Sequence, residues 1–142
     1  MDIHYTEHET SSVAGTLLDL VKPDDMGATV VGLTGDLGAG KTTLSQSIAR
    51  HLGVTDTVVS PTFVIAKMYI TSDSRFEQLI HIDAYRIEDI QELDPLGWEG
   101  MVHSPKTLIL VEWPERITEA LPPHTMHFHI DHAQNQRHLY KV

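Results

Sequence analysis

Two adjoining segments, Ala28-Thr-Val-Val-Gly-Leu-Thr34 and Gly35-Asp-Leu-Gly-Ala-Gly-Lys-Thr42, decide the fold. The first is β-branched, apolar and bounded by turn residues, the pattern of a short buried strand. The second satisfies G-x-x-x-x-G-K-[ST] in full. From Thr42 to Leu52 the spacing becomes helical, with Leu44, Ile48 and Leu52 on one face and Gly53 as a C-terminal stop. Strand, glycine-rich loop and helix form the context in which this motif cradles phosphate. Its glycines let the backbone turn so that successive N–H groups point inward, and the helix N-terminus adds positive potential. The predicted nucleotide-binding residues are therefore Gly35, Asp36, Leu37, Gly38, Ala39, Gly40, Lys41 and Thr42. Lys41 reaches the β- and γ-phosphates, and the Thr42 hydroxyl is a ligand for Mg²⁺. Thr43 reads equally as helix filler or as a further nucleotide contact.

Upstream, Val13, Leu17, Leu18, Leu20 and Val21 recur at near-helical spacing over Ser11 to Val21, and Pro23 with Gly27 marks the exit. Downstream, Phe63 to Ile70 and Phe76 to Asp83 are β-like runs separated by Thr-Ser-Asp-Ser-Arg, which predicts an antiparallel pair. Glu88 to Leu93 and Gly97 to Val102 read as short helical pieces broken at Pro95, and Thr107 to Glu112 as a second core strand ended by Pro114. Thr125 to Asp131 and Arg137 to Val142 alternate around His132-Ala-Gln-Asn-Gln136, predicting a closing hairpin. The sum is a single α/β domain over residues 1–142, a P-loop NTPase-like three-layer arrangement with a mixed parallel and antiparallel sheet.

Size and composition narrow the function. The chain has 142 residues, 41% hydrophobic and 21% charged, which suits one globular core rather than a disordered or fibrous protein. Its apolar runs fall far short of the roughly 20 residues that cross a bilayer. The start, MDIHYTEHET, lacks the basic and apolar regions of a secretory signal, and cysteine is absent. A cytoplasmic location without membrane association is the expectation. A net charge of −10 has the wrong sign for gripping nucleic acid over a broad surface, so any RNA involved is expected to be held by another chain.

Two apolar strands each end in a carboxylate, Leu79-Ile-His-Ile-Asp83 and Leu108-Ile-Leu-Val-Glu112. Such ends face the ligand crevice in open α/β sheets. Phosphoryl transfer needs an acid to hold Mg²⁺, directly or through water, and a group to orient the attacking water. Asp83 suits the metal and Glu112 the water, which makes Lys41, Asp83 and Glu112 the candidate catalytic set and Thr42, Asp83 and Glu112 the candidate metal set. A strand-end acid that merely meets solvent is the alternative for each. Thr62, in Ser60-Pro-Thr-Phe63, sits where switch segments supply a hydroxyl to the metal, or else in an ordinary proline turn. Trp113 offers an aromatic face to a base, an anchor for a partner, or a core side chain. His124, His127, His129 and His132 crowd one segment, but without cysteines or a His-Glu-x-x-His spacing they read as a solvated strand face.

An Asn-Lys-x-Asp guanine reader is missing, since Asn135 is the only asparagine, and ATP follows by elimination. The scattered Arg50, Arg75, Arg86, Arg116 and Arg137 do not compose the arginine-bearing lid of a small kinase, which is the rival enzymatic reading. A nucleotide-gated interaction module, with ATP ordering the surface around Thr62 and Trp113, is a rival from another class.

Four motifs in order, Gly35-Asp-Leu-Gly-Ala-Gly-Lys-Thr-Thr43, Ser60-Pro-Thr-Phe63, His81-Ile-Asp-Ala-Tyr-Arg86 and Val111-Glu-Trp-Pro-Glu115, resemble the TsaE family of small ATPases over most of the chain. The resemblance implies that Lys41 and Thr42 bind phosphate and Mg²⁺, with Thr43 close by. It also implies that Asp83 is the magnesium-associated acid, Glu112 the catalytic carboxylate, Thr62 the switch threonine and Trp113 a site-flanking tryptophan. It further implies ATP hydrolysis in threonylcarbamoyladenosine modification of tRNA, with TsaD-like and TsaB-like partners performing the transfer and tRNA met only through that complex. The segment after Arg86 and the histidine-rich end depart from the family pattern.

Overall fold

A computed structural model describes residues 1–58 and 65–142. Strands β1 (Asp2–Tyr5), β2 (Thr29–Thr34), β3 (Ala66–Ile70), β4 (Gln78–Asp83), β5 (Thr107–Glu112), β6 (Met126–Ala133) and β7 (Gln136–Lys141) form one seven-stranded sheet in the order β1-β7-β6-β2-β5-β4-β3. The centre, β6-β2-β5-β4, is parallel. Antiparallel β3 closes one edge, and antiparallel β7 and β1 close the other. The expected mixed sheet is thus present.

Successive side chains alternate across a strand, and the alternation sorts the core into two layers. Val31, Leu33, Leu79, Leu108 and Leu110 pack against α1 (Thr10–Leu20) and α2 (Lys41–His51). Val30, Ile80, Ile82, Ile109 and Val111 face the other way, toward Trp98 of the short α3 (Trp98–Val102) and Ile117. Continuing the same period places His81 and Asp83 with Leu79, and Glu112 with Leu110, on the α2 side. The apolar pattern that builds the core therefore also delivers both acids to the end of the sheet where the P-loop lies.

The elements read from the sequence are found to within a few residues, with three differences. β1 was not expected; it is a short edge strand whose pairing partner, β7, lies at the opposite end of the chain, with Asp2 opposite Tyr140. The break predicted at Pro95 falls instead at Gly97, where φ reaches 79° and ends a 3₁₀ helix spanning Ile90–Leu96. Proline has the φ that such a turn needs and forfeits only one hydrogen bond, whereas glycine adopts the left-handed conformation that stops it. The closing hairpin turns on two residues, Gln134 and Asn135, because Ala133 and Gln136 are already paired.

No helix among the described residues is long and apolar enough to cross a membrane.

Candidate active site

β2 ends at Thr34 and α2 begins at Lys41, so the loop between them must reverse within six residues. Two glycines are required there. At Gly35, φ is 146° and a Cβ would lie 2.6 Å from the Ile130 carbonyl oxygen. At Gly40, the N-cap of α2, φ is 109° and a Cβ would meet the Arg137 guanidinium. The loop lines a cleft of about 220 Å³ together with Lys41, Thr42, Thr43, Asp83, Glu112, Trp113 and Arg137. The cleft thus brings together Leu37, Gly38, Gly40, Lys41, Thr42, Thr43, Asp83, Glu112 and Trp113 of the predicted set, whereas Gly35 does not line it and Asp36 and Ala39 line a neighbouring concavity with Ile130 and His132. Thr62 lies outside the described residues.

On the acidic side of the cleft, Asp83 and Glu112 are register partners at the ends of β4 and β5. Both are buried. Glu112 is held from two directions: the Thr42 hydroxyl donates to its Oε1 at 2.9 Å, and its Oε2 lies 2.5 Å from His81 Nε2. The other ring nitrogen, His81 Nδ1, is buried without a hydrogen-bond partner among the described residues. Asp83 accepts from the Tyr85 backbone N–H at 3.0 Å. These contacts fix the acids' rotamers before any ligand arrives.

Lys41 is buried and folds back on its own loop, donating to the Gly35 and Asp36 carbonyls. Its ammonium also lies 4.3 Å from the centroid of the Trp113 ring, a cation–π contact. Burial pushes its pKa below the ordinary lysine range, and the charges of Glu112, Glu115, Asp83 and Asp36 act in the opposite direction. Trp113 leaves the sheet in a left-handed conformation, φ 61° and ψ 50°, and tilts against Tyr85 with centroids 5.0 Å apart. That turn sets the indole over Lys41 while it stays half-buried and packed against the apolar layer that contains Val111 and Ile117.

Two residues at the site were given no individual role from sequence, His81 and Arg137. Both were signalled by period two: His81 stands between Leu79 and Asp83 on the inward face, and Arg137 stands two residues before buried Leu139. The C-terminal histidines are more varied than a solvated face. His124 and His132 are exposed, while His127 and His129 are half-buried and His129 contacts the Thr34 hydroxyl at 2.6 Å and Asp131 at 2.9 Å.

Residues 4–139 match the family described as Threonylcarbamoyl adenosine biosynthesis protein TsaE. A Bacillus subtilis (strain 168) protein named tRNA threonylcarbamoyladenosine biosynthesis protein TsaE is 40% identical over 125 residues, covering 88% of this chain and 73% of that one. A Rickettsia felis protein of the same name is 34% identical over 137 residues, 96% of this chain and 75% of its own length. Among solved structures, the crystal structure of Bacillus subtilis YdiB is similar with a TM-score of 0.74 and 29% identity, covering 99% of this chain and 84% of that one.

Proposed function

This chain belongs to the TsaE family, and from that premise we propose that it is a Mg²⁺-dependent ATPase subunit serving threonylcarbamoyladenosine modification of tRNA. The observation that carries the reading is the meeting of the P-loop residues Lys41 and Thr42 with two buried strand-end acids in one cleft, Thr42 and Glu112 being joined at 2.9 Å.

The residues fit the chemistry. The N-terminus of α2, capped by Gly40 with no side-chain hydrogen bond, offers backbone N–H groups that suit phosphate oxygens. A phosphate in the cleft offers Lys41 a stronger acceptor than the loop carbonyls it now engages. Thr42, Asp83 and Glu112 offer one hydroxyl and two carboxylates, the hard oxygen donors that suit Mg²⁺. When bound, that ion would neutralise charge on the β- and γ-phosphates. Glu112 serves as the carboxylate that orients the attacking water, with His81 restraining it. Trp113, against Lys41 and Tyr85, flanks the entrance.

Membership of the family supports TsaD-like and TsaB-like proteins as the partners that carry out the transfer, with ATP hydrolysis here supporting their turnover. A net charge of −10 favours tRNA contact through that complex rather than through this chain. The test is release of γ-phosphate from ATP with Mg²⁺ present, by the protein alone and with a TsaD–TsaB pair. Strong stimulation by the pair is expected. Label passing from the γ-phosphate to an acceptor other than water would instead indicate a small kinase. ATP binding without hydrolysis in either mixture would indicate a nucleotide-gated module.

A further inference from the structure

Arg137 begins the inward-facing series of β7, on the same side of the sheet as α1 and α2. It is 9% exposed and lines the P-loop cleft with Leu37, Gly38, Gly40 and Thr43. Its guanidinium lies so near the loop that a Cβ on Gly40 would be 3.0 Å from both its Cζ and its Nε. Nε and Nη1 are buried and have no hydrogen-bond partner among the described residues. The cross-strand neighbours of Arg137, Tyr5 and His132, bring no carboxylate.

A buried guanidinium with idle donors is costly, because burial strips its water and nothing here replaces it. An anion would supply the missing acceptors. Arg137 borders the P-loop cleft and also a second concavity lined by Thr6, Glu7, His8 and Asn135; the second already holds the acidic Glu7, whereas Gly40 of the glycine loop lies directly against the guanidinium, which favours an anion in the P-loop cleft. The strand order decides which part of a nucleotide would be met. β5 and β4, with Glu112 and Asp83, lie on one side of β2, while β6 and β7 lie on the other. Arg137 therefore approaches the phosphate chain from the flank opposite the acids.

We infer that Arg137 is a second phosphate-binding cation of this cleft, directed at the α/β portion of the chain that ADP and ATP share. The inference rests on the nucleotide reading of the cleft given above. The planar guanidinium has Nε and Nη1 idle, and these lie on different edges of its plane, so they suit two separate acceptors such as oxygens of neighbouring phosphates rather than two oxygens of one phosphate. Lys41 supplies a point charge from α2, and Arg137 a planar set of donors from β7.

Calorimetric titration of the full chain with ADP, ATP and adenosine tests it, using wild type, Arg137→Gln and Arg137→Lys. Arg137→Gln should weaken ADP and ATP by the same factor, about 10-fold or more as for loss of a charge-assisted pair. Adenosine binding should not change, and Arg137→Lys should fall between. The ligand-free melting temperature of Arg137→Gln should equal or exceed that of wild type, since an uncompensated buried charge has been removed. A lower melting temperature with unchanged ADP affinity would show a merely structural residue and overturn the inference. Wild-type protein that binds neither ADP nor ATP would overturn the nucleotide reading itself, a separate failure. A second readout, followed in the wild-type protein, is the Arg137 Nε–H resonance, assigned by its loss in Arg137→Lys. It should shift on adding ADP and not adenosine; an unmoved resonance would overturn the inference.

Discussion

The two flanks of the cleft are built on opposite terms. On the β4 and β5 side the charged groups are already partnered: Glu112 is shared by Thr42 and His81, and Asp83 accepts from Tyr85. On the β7 side, Arg137 keeps two buried donors idle. Lys41 stands between, loosely satisfied by two loop carbonyls and the face of Trp113. The acidic flank is thus a finished network that holds its geometry without a ligand, and the basic flank keeps donors that a bound anion would satisfy. Preorganised acids suit the flank where bonds would change, because no reorganisation is then needed at the moment of reaction. A cation with idle donors suits the flank proposed to bind.

The contrast predicts unequal consequences of substitution. The largest belongs to the acidic flank: Glu112→Gln should lower ATP hydrolysis by about 100-fold or more while leaving ATP binding close to wild type, measured by phosphate release and by titration. Full hydrolysis in that variant would remove Glu112 from its role and erase the distinction between the flanks. Combining Glu112→Gln with Arg137→Gln sharpens the comparison. β5 and β7 are separated by two strands, and effects on ATP affinity from independent sites add to within about 0.5 kcal/mol. A larger coupling would mean that the flanks are one network.

A moderate effect is expected at the restraint on Glu112. His81→Ala leaves a buried carboxylate short of one partner, at a cost of about 1–3 kcal/mol in chemical denaturation of the ligand-free protein. Unchanged stability would show that the His81–Glu112 contact contributes nothing to the finished network.

The smallest effect concerns Lys41. Burial lowers its pKa in the folded protein, so just below the unfolded value of 10.5 the unfolded chain binds more protons than the folded one. Stability contributed through this group therefore rises with pH in that window. Tyr5, whose pKa burial raises, works in the opposite sense, but it is common to wild type and Lys41→Met. The stability of wild type relative to Lys41→Met should accordingly improve as pH approaches 10.5; a constant difference across that range would contradict a desolvated ammonium.

Much of this was legible in the sequence because it is local. Val30 to Leu33, the glycine loop and the Leu44, Ile48, Leu52 stripe lie within 23 residues, and the motif itself singles out Lys41 and Thr42 as the candidates for phosphate and metal. Asp83 and Glu112 were visible as strand-end acids, but their side-by-side placement depends on β4 pairing with β5, a fact of strand order rather than of either strand. β1 escaped because four residues at an edge carry little pattern, and their partner is more than 130 residues away. Arg137 escaped for a related reason. Its alternation with Leu139 marks an inward position, yet only the β6–β7 hairpin and its path beside β2 bring that position to Gly40.

The measurement that tests the central claim most directly is an equilibrium titration of ATP, with Mg²⁺ present, into wild-type protein and Lys41→Ala. Saturable one-to-one binding by the wild type and its loss or marked weakening in the variant is the predicted result. Equal binding by the two proteins, or none by the wild type, would contradict the assignment of this cleft to a nucleotide's phosphates.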